Sequence, residues 1–121
     1  MKLLILIFSI TSLHALDPRL ERPNVAACFE QAKRFLPSAE YSGENEAKVI
    51  GACGNADPLC VSEVGESYHP TDGAPPEQFL GLIRECRGGG MGKCFRALKD
   101  KTAAYDRREF SQLKAMLKKC K

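Results

Sequence analysis

Six cysteines are the residues of this 121-residue chain whose type and spacing most directly imply chemistry. Cys28, Cys53, Cys60, Cys86, Cys94 and Cys120 are separated by gaps of 24, 6, 25, 7 and 25 residues. That alternation of long and short gaps marks one structural unit of about 33 residues, copied three times. Cysteines at regular spacing either ligate a metal or pair as disulfides. Structural zinc takes four Cys or His ligands, a paired cysteine cannot serve as one, and His69 is the only histidine outside residues 1–15. Three disulfides, and neither a metal site nor a cofactor site, are the chemistry these residues support.

The other candidates for chemistry are weak. A Ser-His-Asp arrangement needs only one histidine, but His69 lies in Tyr68-His69-Pro70, where nothing nearby in sequence would orient it. Gly88-Gly89-Gly90-Met91-Gly92-Lys93-Cys94 looks superficially like a phosphate-binding loop. The required spacing puts a glycine where Arg87 stands and a hydroxyl residue where Cys94 stands, so the motif fails. No catalytic residue emerges, and the chain is not expected to be an enzyme.

The elements that must position the cysteines follow from the apolar pattern. Residues 1–15 read as a secretory signal peptide, with Lys2 ahead of an apolar run and Leu13-His14-Ala15 at the cleavage end. Six cysteines in an exported chain are expected to be oxidised. Residues 16–121 then form a single disulfide-rich helical domain with units 24–54, 57–87 and 91–121. Whether residues 16–22, ending in Arg19-Leu20-Glu21-Arg22, form a short propeptide stays open. No other apolar run approaches the ~20 residues of a transmembrane helix.

Within each unit the apolar side chains recur at helical spacing. Phe29, Val61 and Phe95 follow the opening cysteines, with Ala32, Val64 and Leu98 three residues on. Val49-Ile50, Leu82-Ile83 and Met116-Leu117 stand four and three residues before the closing cysteines, and Phe79 and Leu113 seven before. Offsets of three, four and seven place them on one helical face with the cysteine. The expected fold is all-α, six short helices forming three disulfide-clasped antiparallel hairpins.

Punctuation agrees. Pro37, Gly43, Gly54-Asn55, Pro70 to Pro76 and Gly88-Gly89-Gly90 break the chain between helices, Asp57-Pro58 starts the third, and Asp106 with Glu109 suggests a capping box opening the sixth. Two disulfide patterns suit such hairpins. The preferred set is Cys28–Cys53, Cys60–Cys86 and Cys94–Cys120; the competitor is Cys53–Cys60, Cys86–Cys94 and Cys28–Cys120.

Charge is distributed unevenly. Residues 16–92 carry seven basic and twelve acidic side chains, whereas residues 93–121 carry ten basic and three acidic. Arg107, Lys114, Lys118 and Lys121 are spaced to line one face of the last helix. Such a stripe suits an extracellular receptor, a channel or an anionic surface. It also suits an ordinary solvated face, or packing of the basic third hairpin beside the acidic second. Nucleic acid is not an expected partner. These features predict a secreted, non-enzymatic binding protein of effector type, venom-like or signalling, with the last helix and the loop from Tyr68 to Pro76 as contact surfaces. The alternative is a carrier holding a small apolar ligand between helices, lined by residues such as Phe29, Phe35, Leu36, Phe79, Ile83, Phe95 and Leu117.

Overall fold

The computed structural model describes residues 17–69 and 74–121. The signal-peptide reading of residues 1–15, and Pro70 to Gly73 of the suggested contact loop, lie outside them. Six α-helices and no β-strand occur among the described residues: α1 (Pro23–Lys33), α2 (Glu44–Cys53), α3 (Pro58–Ser67), α4 (Pro76–Glu85), α5 (Met91–Asp100) and α6 (Phe110–Lys119).

Local sequence accounts for most of their ends. Proline occupies the first turn of α1, α3 and α4, where its missing N–H has no helical partner to lose. The helix α1 stops at Lys33, four residues before Pro37, which has no N–H to give the Lys33 carbonyl and whose ring would clash with it in a continuing helix. Gly54 closes α2 at a φ of +49°, a conformation that costs glycine little. The sixth helix departs from expectation. Its capping box is formed by Glu109 and Gln112, while Asp106 ends a 3-10 turn over Ala104–Asp106. Arg107 and Arg108 therefore belong to the α5–α6 connection and not to the helix.

Each opening cysteine lies in the first helix of its pair, and each closing cysteine ends the second. A disulfide between them forces the two helices to run antiparallel. The bonds are Cys28–Cys53, Cys60–Cys86 and Cys94–Cys120, with Cα atoms 5.8, 5.6 and 5.7 Å apart. These are the intra-unit pairs, and no cysteine is free.

The hairpins stack side by side. The first helices form one layer in the order α1, α3, α5, and the second helices form the other in the order α2, α4, α6. Between the layers runs one core, containing Phe29, Ala32, Val49, Ile50, Val61, Val64, Phe79, Leu82, Ile83, Phe95, Leu113 and Leu117. The helical-face residues read from the sequence are buried there, apart from Leu98, which is half-buried against the cluster. A 3-10 turn over Pro18–Glu21 packs on α1 and brings Leu20 to the core edge. No helix of the described residues is long and apolar enough to cross a membrane.

Candidate interaction surface

The third hairpin, α5 with α6, carries most of the chain's positive charge, and its seam with the second hairpin decides which of those charges are spent internally. Glu63 on α3 is the centre of that seam. Its side chain is only 10% exposed and receives both Arg96 and Lys99 from α5. Arg96 Nε donates to Oε1 at 2.9 Å, and Lys99 Nζ donates to Oε2 at 2.6 Å. Burial alone would raise the Glu63 pKa. The hydrogen bonds from Lys99 and Arg96, with their positive charge, outweigh it and hold the carboxyl below its ordinary value.

A second carboxylate ties the same two helices. Asp57 Oδ1 accepts the N–H of Leu59 at 3.1 Å, capping α3, while Oδ2 accepts the N–H of Gly92 at 2.8 Å, in the first turn of α5. One side chain thus satisfies donors at two helix N-termini. The approach is close enough that a Cβ on Gly92 would lie 2.7 Å from Leu59 Cβ and 2.8 Å from the Cys60 backbone nitrogen.

The four basic residues singled out by spacing have different fates. Lys121 pairs with Glu85 of α4 at 3.6 Å, and Lys114 Nζ sits 5.5 Å from the centre of the Phe110 ring. Arg107, outside the helix, donates from Nε to the Thr102 carbonyl at 3.0 Å. Of the four, only Lys118 is exposed and without a salt-bridge partner among the described residues. The stripe is therefore not one continuous face, because the connection before α6 removes Arg107 from the helical register.

Topology supplies a different grouping. Lys93 precedes Cys94 at the start of α5, and Lys118, Lys119 and Lys121 surround Cys120 at the end of α6. The Cys94–Cys120 bond brings these two ends together. Lys93, Lys118 and Lys119 are exposed, and no acidic partner reaches them among the described residues. At the opposite end of the hairpin lie exposed Lys101 and Arg108, the latter stacked 4.5 Å over the Tyr105 ring. Tyr105, 75% exposed, is the one large hydrophobic side chain left in solvent among the described residues.

His69 is exposed, and its Nδ1 donates to the Ser67 carbonyl at 2.8 Å. No hydroxyl or carboxylate bonds to its ring among the described residues. Gly90 caps the start of α5 at a φ of +78°, which is the structural use of the glycine run. Of the residues suggested as a ligand-cavity lining, Phe29, Ile83, Phe95 and Leu117 are packed into the core, no more than 7% exposed. Phe35, Leu36 and Phe79 instead join Pro37, Gly65, Tyr68, Ala74 and Pro75 around a cleft of about 360 Å³. Tyr68 stacks on Phe79 and donates its hydroxyl to Gln78 Oε1 at 2.8 Å. Among the described residues no cluster of His, Cys, Asp and Glu is arranged to hold a metal ion.

No protein-family model, curated protein or solved structure matches this chain.

Proposed function

We propose that this chain is a secreted, non-enzymatic binding protein, an extracellular effector that uses its third hairpin to engage an acidic receptor or an anionic surface. The observation that carries the reading is the cluster of unpaired cations at the clasped end of that hairpin. Lys93, Lys118 and Lys119 stand in solvent, while the acidic side chain opposite the hairpin, Glu63, is already occupied by Arg96 and Lys99. Cations left over after internal pairing project their field outward, where they steer and hold an anionic partner. A rigid, disulfide-braced surface also loses little entropy when it binds. The arrangement of Asp57 and Glu63 gives that surface a fixed orientation on the rest of the fold.

The test is neutralisation. Replacing Lys93, Lys118 and Lys119 together by glutamine is expected to weaken binding to sulfated polysaccharide or anionic vesicles by about tenfold at low salt, at about 0.3–1 kcal/mol per charge. Unchanged binding to both probes would reject the reading.

The second reading, a carrier of a small apolar ligand, is favoured by the cleft at Phe35, Leu36, Tyr68 and Phe79, whose volume is at the lower end for small-molecule sites. Native mass spectrometry of the oxidised protein from its natural source separates the two. An adduct lost on denaturation supports the carrier; a mass equal to the polypeptide less six hydrogens favours the effector.

A further inference from the structure

The three disulfides sit in unequal surroundings. Cys28, Cys53, Cys60 and Cys86 have no exposed surface, whereas Cys94 and Cys120 are partly exposed. The Cys94–Cys120 bond is also the one whose cysteines have lysines as immediate neighbours in the chain. Lys93 adjoins one sulfur's residue, and Lys119 and Lys121 flank the other, with Lys121 shared with Glu85. Its two cysteines differ electronically as well. Cys94 lies in the first turns of α5, where the helix dipole favours a thiolate, and Cys120 caps the C-terminus of α6, where the dipole disfavours one.

We infer that Cys94–Cys120 is a thiol-exchange site, selectively opened by anionic thiols while the other two clasps stay closed. Exchange requires a thiolate to reach a disulfide sulfur, and proceeds faster when the departing sulfur is the better thiolate. The incoming thiolate attacks Cys120 Sγ, a new S–S bond forms there, and Cys94 Sγ departs as the thiolate. A second thiol of the same reductant then attacks the mixed disulfide. It releases Cys120 as a thiol and carries away the oxidised, two-sulfur form of the reductant. Two electrons pass from two thiols to one cystine. The opened hairpin keeps its docking through Glu63 and Asp57, neither of which depends on the bond.

The same polarity exists in the second clasp, where Cys60 lies in the first turn of α3 and Cys86 caps α4. Burial is what separates the two, so the inference predicts an order of opening and not merely a difference in chemistry.

The native protein is treated with limiting mercaptoethanesulfonate, an anionic thiol, or with cysteamine, a cationic one, then alkylated and mapped by peptide mass. Cys94 and Cys120 are expected to be labelled at least ~10-fold ahead of the other four, which must wait for wider opening of the fold. The trapped mixed disulfide is expected on Cys120. At equal thiolate concentration the anionic thiol is expected to react about threefold faster or more, an advantage that disappears in high salt. The double variant Lys93→Glu/Lys119→Glu should lose that preference while retaining the order of opening. Simultaneous labelling of Cys60 and Cys86, trapping on Cys94, or equal rates for the two thiols would each overturn the assignment.

Discussion

Where the first hairpin meets the second, a ring fills a notch; where the second meets the third, charges and a shared cap do the joining. At the first seam Phe35 lies directly over Gly65, so close that a Cβ there would collide with the ring, and packs edge-on to Phe79 with centroids 6.0 Å apart. The polar contacts of that seam, from Arg34 to Ser62 and Glu66, are solvent-exposed. At the second seam Glu63 is buried between Arg96 and Lys99, and Asp57 caps α3 while bonding to the first turn of α5. The same hairpin unit can therefore be stacked in two ways. The electrostatic version consumes Arg96 and Lys99, and the exposed lysines elsewhere on the third hairpin are the positive charge that remains.

The largest expected effect comes from the hairpin shared by both seams. Cys60→Ala/Cys86→Ala should cost about 3 kcal/mol in denaturant unfolding, since a loop of this length loses roughly that much constraint. A loss below ~1 kcal/mol would mean the seams alone hold the second hairpin.

Glycine substitutions separate the seams. Gly92→Ala should cost about 2 kcal/mol, because its new Cβ meets the Cys60 backbone, which cannot turn aside. Gly65→Ala should cost about 1 kcal/mol, because the half-buried Phe35 ring can swing outward. The reverse order, measured by urea midpoints, would mean that the aromatic seam is the more rigid.

Acid should act on the second seam selectively. The folded-state pKa of Glu63 is depressed below 4.5, so its contribution is fully present above the unfolded value and is lost as pH falls through the folded one. Hydrogen exchange is expected to accelerate in α5 below about pH 4.5 before it does so in α1 and α2. Glu63→Gln, costing about 1 kcal/mol at neutral pH, should abolish that selectivity. The smallest effect belongs to Arg34→Ala, whose exposed pairs contribute roughly 0.5 kcal/mol or less.

Sequence carried the hairpins and their clasps almost completely. Cysteine period and apolar offsets are properties of one helix at a time, and the intra-unit bonds need only antiparallel neighbours. The seams were less legible, because they depend on which faces of successive units meet. Glu63 and Arg96 are 33 residues apart, one repeat, and Arg34 and Glu66 are 32 apart. Opposite charges one repeat apart on the first helices are the signal that finds such pairs once stacking is assumed. Nothing in the sequence marks Asp57 as capping two helices, since Gly92 is distant in the chain and meets it only through the stacking. The basic stripe departs from its expected register for a local reason: Glu109 and not Asp106 caps α6, so Arg107 lies outside the helix.

The most direct test compares cations of the two outer hairpins. Binding to sulfated polysaccharide is measured across ionic strength for the native protein, for Lys93→Gln/Lys118→Gln/Lys119→Gln, and for Lys33→Gln/Arg34→Gln/Lys48→Gln. If the clasped end of the third hairpin is the binding surface, the first variant loses affinity and flattens the salt dependence, while the second follows the native protein. Equal losses from both variants, or none from the first, would contradict the account.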